Sequence, residues 1–460
     1  MKCKQYAFPK KFKKYAHDVK VEKVKAWNIK VFLKMENSLS FARYRDSEDS
    51  LKQFRNRFLF PQHNGKNVLY FCGNSLGLQP KTTRAAIDQE LDDWAKFGVE
   101  GHFNAAHPWF PYHEFLREPM AKVVGAKPGE TVVMNSLTVN LHLMMVSFYR
   151  PTKQRYKIIC EQSPFPSDQY ALATQVSFHG FDPKDAIIEL TPLPGSNYIS
   201  TEHIVQKIQQ NKNELALVMI GGVNFYSGQL FDMKTITTAA HLCGAVAGYD
   251  LAHAAGNVNL QLHEWNVDFA VWCSYKYLNA GPGSVGGAFV HEKHTQDISI
   301  PRFAGWWGND PGTRFTMPKE FVPVKTADAW QLSNAPVFSM AALKSSLKIF
   351  SEAGMENLVQ KSKELTAYLE FIVHEINSKL QNPDSTLQII TPINPNERGC
   401  QLSLVIKEKG KKVYDYLVKN GAIADWREPD VIRVAPVPLY NSFEDVFLLG
   451  EMLDRAMNEN

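Results

Sequence analysis

The 460-residue sequence lacks the features of membrane, secreted and metal-binding proteins. It contains no run of about 20 apolar residues, so no membrane span is expected. Its six cysteines are scattered, with no CxxC pair and no cysteine at zinc spacing from a histidine, so no metal site is expected. Scattered thiols in a long chain are typical of a reducing compartment, and we expect a cytoplasmic protein.

A local excess of positive charge occurs at the start of the chain. Residues 1–34 hold eleven lysines and two acidic residues, whereas the whole chain carries a net charge of +4. This segment has no arginine or serine and no apolar stretch after it, which disfavours a mitochondrial presequence and a secretory signal. We interpret residues 1–41 as a solvated extension, with a surface-binding segment as the alternative. The total charge is too small to indicate nucleic-acid binding.

Apolar runs alternate with amphipathic segments through most of the sequence. Strands are expected at 215–222, 245–250, 268–274 and 287–291, with helices at 201–213 and 233–244. This alternation predicts a large α/β/α domain at 76–335 with a mostly parallel sheet. Long helices and short strands then predict a smaller α+β domain at 336–460, on which residues 42–75 pack. A cleft between the two domains is the expected ligand site.

The stretch SYKYLNAGPG at 274–283 places Lys276 between two tyrosines and before a glycine-rich turn. Burial disfavours the ammonium form and lowers a lysine pKa, which suits a lysine that forms a Schiff base. The alternative is a lysine that extends from a strand end to solvent. The overlapping GPGSVGG at 281–287 matches a dinucleotide fingerprint, but it leads into an expected strand rather than a helix, so NAD binding is not predicted.

A second motif, GYDLAHAAG at 248–256, places Asp250 at the end of an expected strand. Ligands of open α/β sheets bind beyond the carboxyl ends of strands. An aspartate there can keep the pyridine nitrogen of pyridoxal phosphate (PLP) protonated, and His253 would face the same pocket. Asp250 alone could equally be a turn residue. Together with Lys276, it makes a PLP site the leading interpretation.

Two further stretches offer contacts for the rest of such a cofactor. In NSLTVNLHLMM at 135–145, Ser136 and Thr138 precede an expected helix, and their hydroxyls with its free N–H groups could bind phosphate, although a plain helix cap is an equal alternative. In SPFPSDQYA at 163–171, Phe165 could stack on a ring, with Ser167 and Asp168 as hydrogen-bonding groups.

Taken together, these stretches resemble the kynureninases, a family of fold-type-I PLP enzymes. The resemblance runs from about residue 42 to the C-terminus. It is closest in FCGNSLGLQP (71–80), SLTVNLHL (136–143), FPSDQYA (165–171), DLAHAAGNV (250–258), CSYKYLNAG (273–281), RGCQL (398–402) and IRVAPVPLYNS (432–442). It implies hydrolysis of L-kynurenine and/or 3-hydroxy-L-kynurenine to L-alanine and anthranilate or 3-hydroxyanthranilate, a step of tryptophan catabolism. It also implies a homodimer with shared sites.

The resemblance also implies a role for each matching residue. Lys276 would carry PLP as a Schiff base, Asp250 would pair with the ring nitrogen, and Tyr275 would act as an acid and base with a lowered pKa. The implied cofactor contacts are Leu137, Thr138, Phe165, Ser167, Asp168, Gly221, Tyr226, Asp250, His253, Tyr275 and Lys276, with Trp306 and Asn334 from the second subunit. The implied substrate contacts are His102, Ser333, Asn334 and Arg433, the last holding the α-carboxylate.

The sequence departs from the family at Gly221, where vertebrate members have serine, and at Asn224, where histidine is common. Neither change affects Lys276 or Asp250, so the departures bear on cofactor affinity rather than on the chemistry. An aminotransferase with the same fold remains an alternative. A cysteine desulfurase is disfavoured because the only late cysteine, Cys400, lies in a strand-like stretch. The presence of Lys276, Asp250 and Arg433 argues against a non-catalytic binding protein.

Overall fold

The computed structural model describes residues 34–380 and 386–458. Residues 1–33 of the segment 1–41, interpreted above as a solvated extension, lie outside the described residues. Met35 and Phe41, in its described end, pack against an apolar core and are not simply solvated. The α-helices are α1 (Leu39–Glu48), α2 (Thr83–Phe97), α3 (Gly101–Asn104), α4 (Glu114–Val124), α5 (Leu137–Phe148), α6 (Pro166–Phe178), α7 (Pro183–Ala186), α8 (Thr201–Gln210), α9 (Met233–Leu242), α10 (Glu292–Thr295), α11 (Val337–Ala353), α12 (Met355–Lys379), α13 (Gly410–Lys419) and α14 (Phe443–Asn458).

The strands fall into one large sheet, one smaller sheet and three two-stranded pairs. They are β1 (Phe58–Leu59), β2 (Gln62–His63), β3 (Lys66–Asn67), β4 (Leu69–Tyr70), β5 (Gln79–Pro80), β6 (Thr131–Val133), β7 (Lys157–Glu161), β8 (Ile187–Leu190), β9 (Leu215–Gly221), β10 (Val246–Asp250), β11 (Phe269–Trp272), β12 (Gly287–Val290), β13 (Gln388–Ile389), β14 (Leu402–Val405), β15 (Ala422–Ile423), β16 (Asp425–Arg427) and β17 (Val431–Val434).

The large sheet has seven strands in the order β6-β12-β11-β10-β9-β7-β8. The pairs among β8, β7, β9, β10 and β11 are all parallel, and β12 runs antiparallel to both of its neighbours. The register sets Asp250 beside Gly221 of β9 and Val271 of β11. The carboxyl ends of β9 and β10 therefore meet at one edge of the sheet, as the sequence predicted.

Strand β9 shows how an unbroken apolar run builds this sheet. Val218 and Ile220 face one core, which also holds apolar residues of α8, α9 and α11. Leu217 and Met219 face a second core with residues of α5 and α6. Because successive side chains point to opposite faces, a strand covered on both faces needs apolar residues at every position. The α/β fold with helices on both faces is thus confirmed.

A smaller antiparallel sheet, β13-β14-β17-β16, lies in the C-terminal part of the chain. It shares a core with α12, α13 and α14, which also includes Ala42 and Phe71 from the N-terminal segment. Strand β4 of that segment pairs with β15 in parallel. Other residues of the segment, such as Phe54 and Phe58, belong to the core of the larger sheet, so residues 42–75 contact both parts of the chain. The division into domains stays a prediction.

Within the described ranges, no helix is long and apolar enough to cross a lipid bilayer. The five cysteines in those ranges, Cys72, Cys160, Cys243, Cys273 and Cys400, form no disulfide. GPGSVGG leads into strand β12, which agrees with the rejection of a dinucleotide site.

Candidate active site

A pocket opens at the carboxyl ends of β7, β9 and β10. It is lined by Leu137, Thr138, Glu161, Phe165, Ser167, Asp168, Gly221, Val223, Phe225, Asp250, Ala252, His253, Tyr275 and Lys276. Ten of these residues were predicted from the sequence, and they come from five separate stretches of the chain. The structure brings them together at the position that the topology of an open α/β sheet favours for a ligand.

Lys276 is buried at the base of this pocket. Its Nζ lies 3.0 Å from Nε2 of His253, 5.6 Å from the ring centroid of Phe165 and 5.9 Å from that of Tyr275. Burial, reinforced by the positive charge of Lys276, holds the pKa of His253 well below its usual range. His253 is therefore neutral, and its Nε2 accepts a hydrogen bond from the lysine. Lys276 is accordingly a packed, hydrogen-bonded lysine rather than one that extends to solvent.

Three carboxyl groups line the same pocket. Asp168 and Asp250 lie next to each other, and each affects the pKa of the other. Burial is the main cause that raises the pKa of each, and the neighbouring Asp250 raises that of Asp168 further. Asp250 Oδ1 also accepts a hydrogen bond from the backbone N–H of Ala252 at 2.6 Å. This contact fixes the orientation of Asp250 at the end of its strand.

Glu161, the third carboxyl group, was missed by the sequence reasoning. Burial raises its pKa to about 7, and its two oxygens lie 3.0 and 3.2 Å from the backbone nitrogen of Gly221. A charged residue that ends the apolar run KIICE was the available signal. A Cβ atom at position 221 would lie 2.9 Å from Glu161 Oε1, so a side chain there would require the glutamate to shift. Gly221 therefore allows this close contact.

The pocket contains more carboxyl groups than basic groups, which suits a ring that brings its own proton. Glu161, Asp168 and Asp250 face one lysine and a neutral histidine, and Oδ1 of Asp168 is buried without a hydrogen-bond partner. A buried acceptor without a partner is costly, so a ligand that brings a proton here would be stabilised. The protonated ring nitrogen of PLP is such a donor. The residues present therefore fit the cofactor predicted from the sequence.

The opposite end of the pocket suits an anion. Leu137 and Thr138 form the first turn of α5, where backbone N–H groups have no partner within the helix. The preceding Ser136 makes no side-chain capping bond to these groups. A Cβ at Gly286 would lie 3.1 Å from the nitrogen of Leu137, so this glycine leaves room at the helix terminus. A phosphate group is the kind of ligand that such a terminus binds.

Tyr275 differs in part from its prediction. Burial, with a contribution from Cys273, raises the pKa of its hydroxyl rather than lowering it. A lowered pKa was expected from a neighbouring cationic cofactor, and the protein alone supplies no such effect. The hydroxyl is therefore protonated, and in this state it can donate a proton but not accept one.

Arg433 is fully buried on β17 and does not line the pocket. Its Nη1 donates a hydrogen bond to the backbone oxygen of Phe225 at 2.7 Å, and its Nη2 forms an ion pair with Asp425. Phe225 lines the pocket, so the Arg433 guanidinium is separated from the pocket by the Phe225 residue to which it donates. Burial lowers the pKa of Arg433, and the adjacent Asp425 opposes this effect.

Besides Arg433, five predicted residues lie outside the pocket of the single chain. Trp306, Ser333 and Asn334 are exposed, and Trp306 has 42% of its surface accessible. His102 is half-buried, with Nδ1 2.9 Å from the carbonyl oxygen of Val99. Tyr226 follows Phe225, and its hydroxyl is hydrogen-bonded to Asp430. The expectation that Trp306 and Asn334 serve the site of a second subunit is compatible with their exposure.

Three residues singled out in the sequence serve the backbone rather than the pocket wall. The Asn224 side chain accepts hydrogen bonds from the backbone N–H groups of Tyr226 and Ser227, so it shapes the turn after β9. Gly281 and Gly283 have φ angles of +92° and +66°, which only glycine adopts without strain. Neither glycine lines the pocket, so their role is in the turn and not in close approach to a ligand.

Comparison with known proteins assigns the chain to a family. The model described as "Kynureninase C-terminal domain" matches residues 358–453. A protein named Kynureninase from Flavobacterium psychrophilum is 56% identical over 425 residues, covering 92% of this chain and 99% of that protein. Another, from the animal Nematostella vectensis, is 49% identical over 438 residues, covering 91% and 94%.

The chain belongs to the kynureninase family. The family predicted from the sequence is thereby confirmed, and with it a PLP-dependent hydrolase. Solved structures support the fold. A C-DES mutant with glycine linked to its PLP cofactor superposes with a TM-score of 0.71, 16% identity and coverage of 86% of this chain and 97% of that one. A cysteine desulfurase from Thermococcus onnurineus NA1 has a TM-score of 0.69, 16% identity and coverage of 84% and 94%.

Proposed function

We propose that this chain hydrolyses the Cβ–Cγ bond of L-kynurenine and/or 3-hydroxy-L-kynurenine, with PLP as its cofactor. The products are L-alanine and anthranilate or 3-hydroxyanthranilate. The observation that carries the proposal is the convergence of Lys276, Asp168 and Asp250 in one pocket of a kynureninase-family chain. Groups of this kind around a buried lysine suit PLP chemistry on an amino acid.

In this proposal, each pocket residue has one task in holding the cofactor. Lys276 would bind PLP covalently, Asp250 would hold the proton at the ring nitrogen, and Phe165 would cover one face of the ring. Thr138 and the first turn of α5 would bind the phosphate, and Ser167 would add a polar contact. When bound, PLP supplies an electron sink for carbanions formed next to the substrate amine.

The remaining steps would fall to residues that can move protons or hold charge. Once released from the cofactor, the Lys276 amine would take the proton from the substrate Cα. The neighbouring His253 is neutral and accepts a hydrogen bond from Lys276, so it does not repel the ammonium group that forms. Tyr275, whose hydroxyl is protonated, would act first as a proton donor toward the substrate. Arg433 would bind the α-carboxylate, because its planar guanidinium can contact both oxygens.

A homodimer with shared sites is part of the same proposal. Phe103, Phe110, Phe315 and Trp306 form a continuous aromatic patch, with ring centroids 5.5 to 6.1 Å apart along the chain of contacts. Phe103 and Phe315 are 62% and 54% exposed. Exposed aromatic patches of this kind are typical of protein interfaces. A second copy covering the patch would bring Trp306 close to the active site of that copy.

A cytoplasmic location is also proposed.

The decisive experiment is product analysis. Purified protein with PLP is given each kynurenine separately, and alanine and the anthranilates are measured, with Lys276→Ala as the control. We expect alanine and an aryl product from the wild type only, and the ratio of rates identifies the preferred substrate. A visible cofactor band without these products would contradict the proposal and favour an aminotransferase. Absence of both band and products would favour a non-catalytic protein.

A further inference from the structure

Arg433, proposed above to bind the substrate carboxylate, belongs to a small charged cluster on the smaller sheet. Asp425 of β16 lies directly opposite Arg433 of β17 in the strand register, and the two side chains form an ion pair. Asp425 also accepts a hydrogen bond from Nη2 of Arg427 at 3.3 Å. Since Arg427 is two residues along the same strand, its side chain lies on the same face as that of Asp425.

Two donors of this cluster have no partner. The Nε atoms of Arg427 and Arg433 are both buried and make no hydrogen bond. Arg433 itself is wholly buried, so its unpaired donor is not served by bulk solvent. Other arginines of the structure, Arg314 and Arg398 among them, also have a buried Nε without a partner, but here two such donors flank one carboxylate and could donate to further oxygen ligands. Such a ligand would have to supply oxygens, as a carboxylate does.

The cluster is connected to the wall of the pocket by the backbone at Phe225. The Phe225 carbonyl accepts hydrogen bonds from Arg433 at 2.7 Å and from Gln401 Nε2 at 3.1 Å. The charges of Arg433 and Arg427 also contribute to the lowered pKa of His253, after burial and Lys276. The arginines therefore act electrostatically on the pocket even though their side chains lie behind its wall.

We propose that Asp425 is a positioning residue for the substrate carboxylate: it holds Arg433 and Arg427 in place and reduces their combined charge to +1. This inference rests on the proposed function and deepens it. One carboxylate then neutralises the cluster, so the subsite is suited to a single α-carboxylate. Without Asp425, the two guanidinium groups would repel each other and Arg433 would lose the partner opposite it.

A positioning role and a purely electrostatic role of Asp425 predict opposite changes in KM when Asp425 is replaced. Removal of its negative charge makes the cluster more positive, so a purely electrostatic role predicts tighter carboxylate binding and a lower KM. A positioning role predicts weaker binding despite the added positive charge. The sign of the change in KM therefore separates the two roles.

The test compares Asp425→Ala with Asp425→Asn in the PLP-loaded enzyme. We expect Ala to raise the KM for L-kynurenine by about tenfold or more, the cost of losing a hydrogen bond to a charged group, while kcat changes far less. Asn keeps an oxygen that can accept from Arg433, so it should restore most of the affinity. Asp415→Asn is the matched control, because Asp415 is an exposed residue of α13 that pairs with Lys411 and lies outside the cluster.

A second readout locates the effect at the carboxylate. The decarboxylated amine of kynurenine is used as a competitive inhibitor, and its inhibition constant should be the same for wild type and Asp425→Ala. Equal weakening of both ligands would overturn the inference, as would an unchanged or lowered KM for L-kynurenine. If Ala does not yield folded holoenzyme, Asp425→Glu replaces it: the displaced carboxylate should raise KM, and a wild-type KM would overturn the positioning role. Absence of cleavage by the wild type would instead overturn the proposed function itself.

Discussion

Glu161 shows at the residue scale how burial turns an ordinary side chain into a pH-dependent one. Its carboxyl group ends strand β7 inside the pocket, next to Asp250 and the backbone nitrogen of Gly221. Burial raises its pKa to about 7 from a usual value near 4.5. Between these two pH values the folded protein keeps the proton that the unfolded chain has already lost.

The stability of the cofactor-free protein should therefore fall as pH rises from about 4.5 to about 7, and this contribution should stop above pH 7. The side chain of the Glu161→Gln variant stays neutral, so the variant should lack this pH-dependent loss of stability. We expect wild type to lose roughly 2–3 kcal/mol more than the variant between pH 5 and pH 8, measured by urea unfolding. Because the Glu161 charge also helps to raise the pKa of Asp168, a smaller part of the difference between the two proteins arises through Asp168. Parallel pH profiles for the two proteins would contradict the assignment.

Individual site residues were predictable where strand ends and helix starts could be read from the sequence. Lys276, Asp250 and Thr138 each follow a buried strand or open a helix, and the sheet topology brings such positions together. The partners of Arg433 could not be predicted, because its contact with Phe225 joins two residues far apart in the chain. Glu161 was missed for a related reason: its role depends on burial, which arises only from tertiary packing.

At the scale of elements, β10 depends on one close contact. Gly248 packs directly against the ring of Phe269 in β11, and a Cβ at this position would overlap the ring. Gly248→Ala should therefore push β10 away from β11 and destabilise the protein by about 1–3 kcal/mol. Because Asp250 lies two residues further on, cofactor affinity should fall as well. Gly129→Ala is the control, since its Cβ would make only an ordinary contact with Thr326.

Thermal unfolding and titration with PLP measure both effects. A Gly248→Ala protein as stable as wild type would mean that β11 can adjust to the extra methyl group at no cost.

The long elements were predictable and the short ones were not. The apolar runs of β9, β10, β11 and β12 and the amphipathic pattern of α12 were located from the sequence to within a few residues. The two-residue strands β1 to β5 were not predicted. A strand of two residues has too few side chains to show a period, and its pairing partner is chosen by the tertiary fold.

At the scale of the whole molecule, the N-terminal segment is attached to the C-terminal part by a buried ion pair. Lys361 of α12 lies 2.7 Å from Asp49, which follows α1, and both side chains are 7% exposed. Lys361→Met would leave the buried aspartate without its charged partner, although the backbone N–H of Leu51 still donates to Asp49 Oδ1, and should destabilise the protein by about 3 kcal/mol. Asp49→Asn combined with Lys361→Met removes both charges and should recover much of this loss.

Denaturant unfolding of Asp49→Asn, Lys361→Met and the double variant measures the coupling between the two residues. The PLP absorption band should be unchanged, because the pair lies outside the pocket. Additive effects of the two single variants would show that the ion pair has no specific role.

A shared active site predicts complementation between two inactive variants. Lys276→Ala and Trp306→Ala homodimers should each have low activity. After unfolding and refolding together, half of the dimers would be mixed, and each mixed dimer would hold one site with neither substitution. We expect recovery of about a quarter of wild-type specific activity. Separate refolding is the control, and no gain from mixing would contradict a site shared between subunits.

The hydrogen bonds to the Phe225 carbonyl join parts of the chain that are synthesised at different times. Its two donors, Gln401 and Arg433, both come from the smaller sheet, whereas Phe225 belongs to a turn of the larger one. A ribosome-bound chain that has emerged only as far as α11 already contains every residue predicted to hold PLP within one subunit. It still lacks the arginine that would select an amino acid. During synthesis, the capacity to bind the cofactor should therefore precede the capacity to recognise a substrate.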